Sequence, residues 1–169
     1  IDDEFFKYYI DFEQLQLDDS IAALCVSRPT NPTGNVLTDK EMAKLDQLAL
    51  DHNIPLIIDG AYGRPFPDLI YTDVSLDWHE NRIICLSLSK FGLPATRTGI
   101  VIAQPEIIAA ISNMNAIMNL SPNSIGSMLA TDLVKTGDIL RLSEQAVQPF
   151  YRGRAERAIA HCQQLIGQY

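Results

Sequence analysis

Lys90 closes the run Ile83-Ile84-Cys85-Leu86-Ser87-Leu88-Ser89-Lys90, and the chain bends just beyond it at Gly92 and Pro94. An ammonium at the end of an apolar strand is expensive to desolvate unless it is paired or neutralised. Only the neutral amine attacks a carbonyl, so a lysine with a lowered pKa is what Schiff-base chemistry needs. Seven residues on, Arg97 offers a planar donor fork suited to a phosphate, and Ser87 and Ser89 stand nearby as hydroxyl donors. A second reading of Lys90 is ordinary: a strand-end lysine that lays its stem on apolar surface and carries its charge out to water.

Two other apolar runs end in a similar way. Ile21 to Ser27 leads into Arg28-Pro-Thr-Asn-Pro-Thr-Gly-Asn35, which presents Asn31 in a loop with two prolines and a glycine. Ile54 to Asp59 ends on a carboxylate, with Tyr62 three residues later. Each has a local explanation: Asn31 starting a turn, Asp59 capping one, Tyr62 as a half-buried ring. Ligands of α/β sheets sit outside the carboxyl ends of the strands. An amide, a carboxylate, a phenol, an amine and a guanidinium therefore converge on one edge.

The elements that must position these groups are legible from pattern. Continuous short apolar runs predict strands buried on both faces at 21–27, 54–59 and 82–87. A fourth, 98–103, follows the third too closely for a parallel crossover, so the sheet is expected to be mixed. Thr38-Asp-Lys-Glu41 is a capping box, with Met42, Leu45, Leu48 and Ala49 at helical spacing and Asn53 as a left-handed stop. Residues 5–20 read as an opening loop or short helix, and 60–78 as a long irregular loop. Beyond Pro105 helices are expected at 106–118, at 123–135, and from about 138 past 157, with Pro149 kinking or breaking the last. The turn at 119–126 joins two of them, or faces a partner. This is an α/β layer fold.

Composition narrows the partners. The chain has 169 residues, 47% hydrophobic and 20% charged, with a net charge of −8 and no basic block. Nucleic acid and anionic membrane are poor partners for such a surface, and no run approaches membrane-spanning length. The three cysteines, Cys25, Cys85 and Cys162, have no metal-ligand spacing and read as buried free thiols of a reducing cytoplasm. The chain begins at Ile1 and stops within a helical pattern, which reads as a piece of something longer.

Asn31-Pro-Thr-Gly34, Asp59-x-Ala-Tyr62, Ser87-x-Ser-Lys90 and the arginine before Gly99 together resemble the core motifs of the fold type I pyridoxal-phosphate enzymes, the aspartate-aminotransferase superfamily. Order and approximate spacing both match, from about Asp2 onward. The longer strings Ser27 to Asn35, Asp59 to Pro67 and Pro149-Phe-Tyr151 are similar to the family's valine–pyruvate aminotransferases in particular. Arg97 follows Lys90 by seven residues where many relatives have eight, and Ala95 stands where glycine is common.

The resemblance implies the large cofactor-binding domain of such an enzyme over 1–145, with a mixed, mostly parallel sheet sandwiched by helices, and a helix over 146–169 leading toward a small domain. It implies pyridoxal 5'-phosphate as cofactor, with Lys90 as covalent anchor and proton carrier, and Asp59 facing the pyridine nitrogen from a buried position. Tyr62 and Asn31 would face the phenolic oxygen, and Ser87, Ser89 and Arg97 the phosphate. The implied reaction is exchange of an amino group between a valine- or alanine-type amino acid and a 2-oxo acid such as pyruvate, by a cytoplasmic homodimer. The ring-stacking aromatic and the arginine for the substrate carboxylate are expected outside these residues, so the chain by itself is expected to be inactive. A lyase of the same fold, or an aminotransferase-like regulatory domain, would share the same core residues.

Overall fold

A computed structural model of the chain describes residues 7–121 and 124–166. Its sheet has four strands in sequence order, β1 (Leu24–Ser27), β2 (Leu56–Asp59), β3 (Arg82–Ser87) and β4 (Gly99–Ile102). β1, β2 and β3 run parallel and β4 returns antiparallel, which is the mixed sheet that the short 87–99 connection requires. The register places Ser27, Asp59 and Cys85 side by side, with β3 continuing two residues further to Ser87 opposite Gly99.

β1 begins three residues later than its apolar run suggests. Leu24 donates to the Pro55 carbonyl at 3.0 Å, but Pro55 has no N–H to extend the ladder backwards. Helix α1 (Asp39–Asp51) starts on the expected capping box: the Thr38 hydroxyl accepts from the Glu41 N–H at 3.2 Å, and Glu41 accepts from the Thr38 N–H at 2.8 Å. It stops at Asn53 with φ 52°.

Met42, Leu45 and Ala49 of α1 pack on the sheet face formed by Leu56, Ile58, Ile84 and Leu86. Ala130 of α3 (Ser124–Thr136) and Ile139 of α4 (Asp138–Leu142) join the same cluster. On the opposite face Cys25 is exposed, and Ile57, Ile83 and Cys85 are only half-buried. The described residues thus supply the helical layer of one sheet face. Cys25 and Cys162 are exposed free thiols rather than the buried ones expected, because this face and the outer side of the C-terminal helix, Gln148–Ile166, carry no cover within the described residues. Residues 7–23 contain turns and no helix.

Helix α2 (Pro105–Asn119) has no buried residue and exposes Ile108, Ile111, Met114, Ile117 and Met118. After α4 the chain forms one π-helical turn, Ser143–Val147, and continues as α5 (Gln148–Ile166). The expected disturbance at Pro149 takes this form. A proline cannot donate to the preceding turn and its ring crowds that turn's carbonyls, and the widened turn just before it moves them aside.

Candidate active site

The sheet edge brings most of the expected groups together. Asp59 ends β2, where the Ala61 N–H donates to one carboxylate oxygen at 3.0 Å and the Ser27 hydroxyl to the other at 3.3 Å. The carboxylate is exposed in this chain, not buried as the family pattern implies, because it projects from the uncovered sheet face at the strand's end. Next to it, burial pushes the Cys85 thiol pKa up, and the charges of Asp59 and Cys25 push in the same direction. That thiol is held in its unreactive form.

Tyr62 follows in a tight turn. The Gly60 N–H prolongs the sheet by donating to Cys85 at 2.8 Å, the Gly63 N–H closes on Gly60 at 2.9 Å, and Leu69 donates to the Tyr62 carbonyl at 2.9 Å. Gly63 is required by proximity: a Cβ there would lie 2.4 Å from the Arg28 carbonyl oxygen. The turn bearing Tyr62 is thereby pressed against the start of the Asn31 loop.

Lys90 is half-buried just past β3, its ammonium 5.2 Å from the centre of the Tyr62 ring. Before it, the Ser89 N–H donates to the Ser87 hydroxyl at 3.2 Å. A 3₁₀ turn, Pro94–Thr96, then delivers Arg97 in the left-handed region, φ 47° and ψ 46°. The positive φ falls on Arg97, and Ala95 sits in the turn where an alanine fits. A left-handed non-glycine costs about 1–2 kcal/mol. The Arg97 conformation aims one guanidinium nitrogen at the Ser89 hydroxyl, 3.4 Å away, so the fork reaches Ser89 despite the seven-residue spacing. Strain of this kind gathers where a side chain must be aimed.

Asn31 stands exposed in the turn after β1, and among the described residues no hydrogen bond joins it to Asp59, Tyr62 or Lys90. Two contributors were missed by sequence reasoning. Ser27 orients Asp59, and only the strand register reveals it. Phe91, beside Lys90, packs edge-on against Phe66, ring centres 6.0 Å apart, across a span of sequence no local pattern connects. An amine, a phenol, a carboxylate, two hydroxyls and a guanidinium on one edge form a donor set that fits a phosphorylated carbonyl compound with a basic ring.

The family pattern of Aminotransferase class I and II matches residues 5–168. The chain belongs to the class I and II aminotransferase family. It is 52% identical to the valine–pyruvate aminotransferase of Escherichia coli (strain K12) over 155 residues, 92% of this chain and 37% of that protein. The crystal structure of valine-pyruvate aminotransferase from Salmonella typhimurium LT2 superposes with a TM-score of 0.89 at 50% identity, covering 95% of this chain and 41% of that one. Aspartate aminotransferase from Thermus thermophilus, with a TM-score of 0.68 at 23% identity and 79% of this chain covered against 35% of its own, shares the fold. The chain spans about two fifths of the length of these aminotransferase relatives.

Proposed function

We propose that this chain is the later part of the large, cofactor-binding domain of a pyridoxal-phosphate-dependent aminotransferase that exchanges an amino group between valine or alanine and a 2-oxo acid such as pyruvate. The observation that carries this reading is the convergence of Lys90, Tyr62, Asp59, Ser87, Ser89 and Arg97 on one strand-end edge. The substrate class is supported by the 52% and 50% identity to the valine–pyruvate aminotransferases of Escherichia coli and Salmonella typhimurium.

In this reading the cofactor, when bound, supplies an electron sink for a carbanion at the amino acid's α-carbon. Lys90 would hold it through Nζ and would carry the proton at the α-carbon. Asp59, held by Ser27 and the Ala61 N–H, keeps a proton on the pyridine nitrogen. Tyr62 and Asn31 would donate to the phenolic oxygen. The Ser87 and Ser89 hydroxyls and the Arg97 fork hold the phosphate. Helix α5 leads out toward a small domain, and the working enzyme is a homodimer of the cytoplasm. The groups that stack on the ring and bind the substrate carboxylate come from outside these residues, so this chain alone gives no turnover.

The test is made on the complete enzyme in which the chain is embedded. Pyridoxal phosphate is added, the mixture is reduced with borohydride, and the modified peptide is mapped by mass spectrometry. A single phosphopyridoxyl group on Lys90 is the expected result, and a separate, unreduced sample of the loaded enzyme should form alanine from valine and pyruvate. Label scattered over surface lysines would remove the edge from any catalytic role.

A further inference from the structure

We infer that the α4–α5 junction is a positioning device for the turn that carries Tyr62: Ser143 and Gln148 clamp that loop and seat it against the Lys90 segment. The inference deepens the proposed function and rests on its assignment of Tyr62 and Lys90.

The long segment 60–81 has no regular structure. Its first ten residues are nevertheless ordered by their own backbone, through the bonds at Gly60 and Tyr62 and a 3.0 Å bond from the Asp68 N–H to the Gly63 carbonyl. Such a hairpin-like loop needs its tip fastened, and the fastening comes from 76 residues away in sequence. The Ser143 hydroxyl, fully buried, donates to the Pro67 carbonyl at 2.9 Å. The Gln148 amide donates to one oxygen of Asp68 at 3.1 Å, and Arg64 donates to the other at 3.3 Å. Asp68 itself sits at φ 53°, a left-handed position. Further along, the Arg152 guanidinium stacks on Tyr71 at 4.9 Å.

The π-turn explains how Ser143 and Gln148 reach the same target. In an unbroken α-helix, residues five apart point about 140° away from one another. Here Gln148 donates its N–H to the Ser143 carbonyl, five residues back, and the widened turn brings both side chains to bear on consecutive loop residues, Pro67 and Asp68. π-turns gather at functional sites. The clamp also reaches the lysine. Phe66, next to the clamped Pro67, is buried edge-on against Phe91, the residue after Lys90. A continuous packed path therefore runs from the helix leaving this domain, through the loop tip, to both Tyr62 and Lys90.

The test uses the complete enzyme with Ser143→Ala, and Gln148→Met as a second, less buried variant. Cofactor-free protein is examined first by amide hydrogen exchange. Exchange in the 62–69 peptide should quicken about fivefold on loss of one buried hydrogen bond, while the 82–87 strand is unchanged. In the loaded enzyme, a displaced Tyr62 donates less well to the cofactor's phenolic oxygen, so proton affinity rises. The pH midpoint of the bound cofactor's absorbance should move upward by about half a unit, a threefold change. That shift should vanish in a Tyr62→Phe background. Unchanged exchange at 62–69 in both variants overturns the clamp. Faster exchange with an unmoved midpoint, or with a shift that persists in Tyr62→Phe, overturns the link to Tyr62. Failure of the unmutated enzyme to take up cofactor on Lys90 overturns the assignment beneath both, and the exchange rates then still decide the clamp.

Discussion

Arg28 and Arg82 lie on the scaffold side of the sheet, and Arg97 lies on its carboxyl edge; the three guanidiniums are treated in opposite ways. Arg28 is 6% exposed and all its nitrogens are occupied: Nε on Leu37 O at 2.8 Å, Nη1 on Ser75 O at 2.6 Å and Nη2 on Asp39 at 2.6 Å. Arg82, 8% exposed, grips Asp46 with Nε and Nη2 and the Asp77 carbonyl with Nη1, and His79 adds a 3.0 Å bond to the same carboxylate. Arg97 is exposed, its backbone is left-handed, and its described hydrogen bond is the 3.4 Å contact with Ser89. A guanidinium whose three nitrogens are all bonded inside the fold is fixing loops in place. One held in a strained conformation with donors to spare is built to meet something else.

The largest consequence of this difference falls on the scaffold. Asp46→Ala removes the partner of a buried guanidinium and leaves the Arg82 charge uncompensated, which is expected to cost about 3–5 kcal/mol of folding stability. Denaturant unfolding measures it; a loss below about 1 kcal/mol would put Arg82 and Arg97 in the same class.

Arg97→Gly should act with two signs. Glycine adopts φ 47° without penalty, so stability is expected to rise by about 1 kcal/mol. In the proposed site the phosphate would lose its fork, so retention of pyridoxal phosphate by the complete enzyme should weaken at least about tenfold, or 1.4 kcal/mol. Thermal unfolding of cofactor-free protein and equilibrium dialysis with the cofactor separate the two. Lowered stability would mean that Arg97, like Arg28, is structural.

What the sequence made legible follows from the range over which each cause acts. The capping box at Thr38, the Asn53 stop and the bounds of β3 are local chemistry, and the structure has them where the pattern put them. The motif residues on the carboxyl edge were legible because the carboxyl ends of parallel strands all lie along one edge of the sheet. Ser27 beside Asp59 needed the strand register, and Ser143 beneath Pro67 needed a contact across 76 residues. No periodicity carries information of that kind. The expected burial of Asp59 and Cys25 failed for the same reason in reverse: cover for that sheet face is not supplied by any described element.

The smallest effect sharpens the contrast from the acid side. The Arg28 guanidinium, hydrogen-bonded to Asp39, holds that carboxyl below its ordinary value of 3.8 against the opposing cost of burial, and the Ser75 N–H adds to the lowering. A carboxylate whose folded pKa is depressed stabilises the fold at any pH above its unfolded value, and that contribution disappears as pH falls through the folded value. Asp39→Asn should therefore lower stability slightly at neutral pH and flatten its decline below about pH 4. Because Asp39 is exposed, solvent screens the pair and the change stays small. Unfolding midpoints between pH 2 and 6 test it. Arg97 has no such carboxylate partner among the described ion pairs, so Arg97→Gln should leave the same acid profile unmoved. If it flattened that profile as Asp39→Asn does, the division between scaffold arginines and a ligand arginine would not hold.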